Sequence, residues 1–194
     1  MKNEIIYRDE TNNDVTICRE LCNRLMQYQA SKTSSELYSE ILSSMCFENR
    51  LLPSFESANE KQLIVAYDMD KPVGYVFSTA EIITEQNRNL RPKWATKISE
   101  DTQWLYPKWL KMPVKIGDLN NLYVLPEYRG QKIGQNLMDL AMIWLRQTYN
   151  VEWLFVDVAN GNDVAAFYEH YGFVFSHKVL GGLIKAYCQK INRY

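Results

Sequence analysis

NNLYVLPEYRGQKIGQNLM, Asn120 to Met138, is the stretch whose reading decides the fold. Asn121 to Leu125 is a short apolar, β-prone run ended by Pro126. Ile133, Leu137, Leu140, Ala141 and Trp144 then recur at helical spacing, so a strand passes through a tight turn into a helix. The turn Glu127 to Gly134 presents backbone N–H groups at a helix N-terminus. They have no partner inside the helix, and the helix dipole adds partial positive charge. A phosphate or pyrophosphate sits favourably against Gly130, Gln131, Ile133 and Gly134, with Gln135 ending the turn and with Arg129 and Lys132 adding charge.

A second stretch, Val156 to Phe173, reads VDVANGNDVAAFYEHYGF: a strand, an Asn-bearing segment, then a short helix carrying Phe167 and Tyr168 and closed by Gly172. The first segment, V-x-P-x-Y-R-G-x-x-I-G-x-x-L, resembles the acetyl-CoA-binding motif of the GNAT N-acetyltransferase superfamily. The second resembles that family's strand, splay and N-x-x-x-x-x-F-Y-x-x-x-G-F helix, in the family's order and at about its spacing. Two distinct segments in order weigh far more than one glycine-bearing loop.

Two departures from the family pattern stand out. That pattern is Arg or Gln, two residues, Gly, one residue, then Gly or Ala; counted from Arg129, Lys132 replaces the middle glycine. Lysine there is expected to take ordinary helical dihedrals and to offer its ammonium to a CoA phosphate. In the second motif Asn162 lies one residue closer to Tyr168 than usual, so the family's Asn role falls to Asn160 or Asn162.

The chain has 194 residues, 46% apolar and 23% charged, with a formal net charge of −1. This is an ordinary globular balance, and one domain spanning residues 1–194 is expected. Near-neutral charge gives no general reason for nucleic acid or an anionic membrane as partner, and no apolar run reaches the length of a membrane span. Cys18, Cys22, Cys46 and Cys188 have no nearby histidine. They read as free thiols of a cytoplasmic protein, with no metal expected.

In chain order, Glu4 to Arg8 reads as a strand. Asn13 or Asp14 caps a helix to about Gln29, and Ser34 or Ser35 starts a second helix. Gln62 to Tyr67 and Val73 to Ala80 flank a turn at Asp70 and Pro72, an antiparallel hairpin. A long connection over 87–115 follows, rich in Trp94, Trp104, Tyr106 and Trp109 and in basic residues such as Arg88, Lys93 and Lys97. Its aromatics suit a covered sheet edge, an acceptor pocket or a dimer contact. Glu152 to Val158 is a buried strand, and a hairpin around Gly181 and Gly182 closes a mixed α/β sheet of about 6–7 strands with helices on both faces.

The resemblance implies a GNAT-like acyl-CoA N-acyltransferase fold and transfer of an acetyl group from acetyl-CoA, as co-substrate, to a primary amine. The main chain of Leu122, Tyr123 and Val124 then pairs with the pantetheine arm like an added strand. Tyr168 takes the place of the helix-borne acid that approaches the CoA sulfur. Asp118, six residues before Val124 and so expected on the same strand face, matches the catalytic carboxylate of some members, Asp157 that of others, and Glu81 is a further candidate. No cysteine sits in either motif, which favours direct transfer within a ternary complex. The acceptor is a small amine or a protein amine, and homodimers are common in the family. The competing reading is a non-catalytic acyl-CoA-binding sensor or regulatory module.

Overall fold

A computed structural model describes residues 4–91 and 105–191. The expectations for Lys93, Trp94, Lys97 and Trp104 lie outside the described residues. Strands β1 (Ile5–Asp9), β2 (Glu60–Asp68), β3 (Lys71–Ile83), β4 (Val114–Val124), β5 (Trp153–Ala159), β6 (Val174–Val179) and β7 (Ile184–Lys190) form a seven-stranded sheet in the order β1-β2-β3-β4-β5-β7-β6. Only β4 and β5 pair in parallel, and the chain between them supplies the crossover helix that such a pair requires.

That helix, α4 (Ile133–Gln147), follows directly from the sequence pattern. Ile133, Leu137, Ala141 and Leu145 recur every fourth residue and are fully buried, joined by Met138 and Met142, while Leu140 and Trp144 lie on the border of the stripe. Each of the Ile, Leu and Met side chains contributes about 1.5–3 kcal/mol when taken out of water. The face they cover includes Gly74 and Gly117. A Cβ on Gly117 would stand 2.7 Å from Leu145 Cδ2, so the absence of a side chain there lets α4 lie close on β4.

Helices α1 (Arg19–Lys32), α2 (Glu36–Ser43) and α3 (Leu51–Ser57) precede β2. Helix α1 follows a short 3-10 turn in which the Asp14 carboxylate accepts from the Thr16 N–H at 2.9 Å, and Ser35 caps α2 through its hydroxyl. These helices cover the face opposite α4: Tyr75, next to Gly74, is fully buried beside Cys22 and Cys18. Helix α3, with Pro53 in its first turn, is an element that the sequence reading did not anticipate. Helix α5 (Ala165–His170) follows β5 and ends at Gly172, whose φ of +87° stops it. Cys18, Cys22 and Cys188 are buried free thiols and Cys46 is a half-buried one. Among the described residues no helix is long and apolar enough to cross a membrane.

Candidate active site

Between β4 and α4 the backbone N–H groups of Gly130 to Gln135 donate to no backbone carbonyl among the described residues. The first bond of the helix is Asn136 N–H to the Lys132 carbonyl, at 3.0 Å. Six donors in succession, at the positive end of a 15-residue helix, make a cradle of N–H groups where negative charge is favoured. Gly130 takes φ +73° to form it. Lys132 corrects the sequence reading: it has φ 62° and ψ 7°, left-handed rather than helical, and caps α4 from that conformation. The turn needs a positive φ at the position where the family motif has glycine, and here a lysine supplies it under strain. Arg129 has turned its side chain away from the cradle, its Nε donating to the Val124 carbonyl at 3.1 Å and its guanidinium stacking over Tyr28, 4.7 Å from the ring centre.

Strands β4 and β5 pair only from Ile116 with Trp153 to Leu119 with Val156. Beyond that they part, so Asn120 to Val124 and Asp157 to Ala159 flank a wedge-shaped opening. On its other side β4 stays paired with β3. Because the Leu125 N–H donates to Val73, strand alternation turns the N–H groups of Leu122 and Val124 into the opening and that of Tyr123 away from it. Helix α5 closes round the same end: the hydroxyl of Tyr171, just past its last residue, donates to Asp139 at 2.8 Å and reaches the Gln135 carbonyl at 3.2 Å, tying the end of α5 to the first two turns of α4.

A bulge interrupts β4 at the start of the opening. Phe77 faces Asn121 and Ser78 faces Leu119, leaving Asn120 as the extra residue. Its side chain donates to Thr79 Oγ1 at 2.7 Å. The bulge overturns the expected common face of Asp118 and Val124. Val124 Cγ2 lies against Gly74 and Gly134, on the α4 side, whereas Asp118 faces a cavity on the α1–α3 side. One added residue reverses which face each later side chain takes.

That cavity, about 270 Å³, brings together carboxylates from three adjacent strands, Glu81 of β3, Asp118 of β4 and Asp157 of β5, with Tyr106 and Arg50. The Tyr106 hydroxyl lies 3.2 Å from Asp118 Oδ2 and 3.4 Å from Glu81 Oε1. By surface area Glu81 and Asp157 are exposed and Asp118 half-buried, yet protein surrounds each on most sides, as it does at the floor of a concave site. The area decides that a ligand reaches them; the enclosure disfavours their charge. Desolvation pushes Asp157 up to about 7, against the pull of the Arg50 guanidinium. Desolvation, then repulsion from Glu81 and Asp157, holds Asp118 well above the usual carboxylate range. Glu81 is raised by desolvation as well, and Tyr106 by desolvation and then by the three acids.

The expected residues thus fall into two groups. Asp118 and Asp157 share the cavity, while Gly130 to Gln135 form the cradle on the α4 side and Leu122 and Val124 line the opening between. Tyr168 on α5 does not line the cavity. It is buried against Phe167 and Phe173, ring centres 5.3 and 6.3 Å away, and desolvation holds its hydroxyl well above the usual phenol range. The side chains of Asn160 and Asn162 make no hydrogen bond among the described residues, although the Asn160 N–H donates to Leu183 at 2.7 Å. Arg50, Asn120 and Asn121 were not anticipated. Arg50 precedes an unanticipated helix and reaches the Asn120 carbonyl at 3.4 Å across 70 positions of sequence, a contact with no local signal.

The site thus consists of two parallel strands that part beside a row of unpartnered N–H groups, above a pocket holding acids. The family model for the acetyltransferase (GNAT) family matches residues 28–173, and the chain belongs to that family. No curated protein matches the chain. Solved structures of similar fold include the PaiA N-acetyltransferase of Thermoplasma acidophilum in complex with coenzyme A, at 17% identity and TM-score 0.61, covering 97% of this chain and 99% of that one. A GNAT-family acetyltransferase from Streptococcus pneumoniae aligns at 19% identity and TM-score 0.56, over 97% and 100% of the two chains. Arabidopsis thaliana NAA60 in complex with acetyl-CoA aligns at 14% and 0.55, over 98% and 100%.

Proposed function

We propose that this protein transfers an acetyl group from acetyl-CoA to a primary amine within a ternary complex. The observation that carries the reading is the run of six unpartnered N–H groups from Gly130 to Gln135 beside the opening between β4 and β5. That run fits a pyrophosphate, and the Leu122 and Val124 N–H groups fit the amide-bearing arm that would enter the opening. Acetyl-CoA, when bound, supplies its acetyl group as a thioester.

The chain's own groups do the rest. Asp157, at the edge of the opening, has a proton affinity matched to neutral pH and takes a proton from the acceptor ammonium through water; Asp118 is the alternative base. The Tyr168 hydroxyl keeps its proton at neutral pH because burial opposes its ionisation, and it serves the departing thiolate as a hydrogen-bond donor while the thiolate takes its proton from solvent. The Val124 N–H polarises a carbonyl oxygen placed in the opening.

Release of CoA thiol from acetyl-CoA across a panel of primary amines tests the reading, with Tyr168→Phe measured beside the wild type. The expected outcome is thiol release with one amine class and a Tyr168→Phe variant whose turnover falls at least tenfold while its affinity for acetyl-CoA holds. CoA binding without release for any amine would mark a non-catalytic CoA-binding module instead.

A further inference from the structure

Acetyl transfer to an ammonium sheds a proton. The nitrogen gives up two as it becomes an amide and the sulfur takes one as it becomes a thiol, so at least one proton leaves the cavity in each turnover. With acetyl-CoA in the opening and an acceptor in the cavity, that proton needs a way out that the substrates do not fill.

Tyr106 stands on such a path. Its ring packs edge-on against Phe155, 5.7 Å between centres, and the preceding carbonyl, of Leu105, lies 3.0 Å from His177 Nε2 on β6. So held, its hydroxyl sits between Asp118 Oδ2 at 3.2 Å and Glu81 Oε1 at 3.4 Å. Glu81 is level with Ile116, two residues before Asp118, which puts the two acids roughly 7 Å apart along the strands. The phenol oxygen bridges that gap. A tyrosine hydroxyl donates one proton and accepts another, so both contacts are hydrogen bonds when one acid is protonated and the other is not. Glu81 has a further property. It lines the cavity and also a neighbouring polar groove with Ser57, Asn59 and Asn87, whereas Asp118 and Asp157 line the cavity alone. By surface area Glu81 is exposed, so water reaches it.

We infer that Asp118, Tyr106 and Glu81 form a relay that carries the released proton from the cavity to the polar groove. This rests on the transferase reading and supplies its proton exit. Asp118 takes a proton on Oδ2 and donates it to the Tyr106 oxygen, while the phenol passes its own proton to Glu81 Oε1. At each oxygen one O–H bond forms as another breaks, so no phenolate is left. Glu81 then loses the proton to water in the groove and returns to carboxylate. Asp157 is not a partner of Tyr106, so of the two bases Asp118 is the one with this exit. The charged groups facing Asp118 are Glu81 from β3, Asp157 from β5 and Arg50 ahead of α3, while α1 and α2 bring the uncharged Met26, Gln29 and Leu42. Desolvation, then Glu81 and Asp157, raise Asp118, and the Tyr106 hydrogen bond and Arg50 lower it.

Titration of the Asp118 carboxyl carbon by NMR, in the free protein, needs no acceptor. Glu81→Gln removes a repelling charge and is expected to lower the Asp118 midpoint. Tyr106→Phe keeps the ring against Phe155, removes the donor and is expected to raise it, both variants melting like the wild type. A midpoint that moves in neither variant, or the same way in both, overturns the inference and leaves the transferase reading standing. Thiol release with the fastest amine of the panel then reads the relay itself. Each variant is expected to lower kcat at least tenfold with KM within about twofold, and the double variant to lose no more than Tyr106→Phe alone, because the groups act as one chain. An unchanged kcat in either variant overturns the relay, as do losses that multiply in the double variant. Absence of thiol release with every amine strikes the transfer reading and the relay together.

Discussion

At Lys132 a side chain stands at φ 62°, where a residue with a Cβ is strained by about 1–2 kcal/mol. Lys132→Gly should therefore stabilise the fold by about 1 kcal/mol, raising the melting midpoint by roughly 2–4 °C. The same change should weaken CoA binding, less so at high salt, if the ammonium meets a phosphate. Melting curves and CoA titrations at two salt concentrations read both; affinity unchanged at low salt would make the lysine a bystander in binding. Gly134 is the complementary position. A Cβ there would find only Val124 Cγ2, at 3.8 Å, so Gly134→Glu is expected to keep its melting temperature and to lose CoA binding to bulk and charge in the cradle. Retained CoA affinity by calorimetry would move the pyrophosphate elsewhere.

The bulge in β4 and the close packing of α4 belong to the scale of elements. Neither shows in a strand read residue by residue. Alternation from Val124 back to Asp118 predicts one face, and the extra residue at Asn120 gives two. The helix in turn depends on Gly117, where a Cβ would meet Leu145 Cδ2 at 2.7 Å and Leu154 Cδ2 at 2.9 Å. Gly117→Val should cost about 1–3 kcal/mol by pushing α4 away from the sheet. Chemical denaturation measures it, and a cost under about 0.5 kcal/mol would mean that the leucines simply rotate aside.

For the molecule as a whole, the acid-lined cavity makes stability depend on pH. Asp157, raised to about 7 in the folded state from an ordinary 3.8, binds its proton more tightly folded than unfolded. Its contribution is fully present below pH 4 and is lost as pH rises through about 7. Asp157→Asn removes that dependence. Its melting temperature relative to the wild type should climb between pH 4 and 7 and then level off. A difference that stays flat across that window would show Asp157 to be ordinarily acidic, as its exposed surface alone would suggest. Glu81 and Asp118 are raised in the same direction, so part of the dependence survives in the variant.

Local chemistry settled much of this in the sequence itself. Pro126, the two glycines of the turn and the fourfold spacing from Ile133 to Leu145 define a strand, a turn and a helix from neighbours alone, and Ser35 and Asp14 announce their caps. The two motifs carry the family. Tertiary structure decided what depends on distant partners. Arg50 reaches Asn120, Tyr106 joins Glu81 to Asp118, and a bulge set by pairing with β3 turns Asn121 into the cavity. Such contacts arise between segments tens of residues apart, held by the packing of a whole sheet, and local periodicity records none of them.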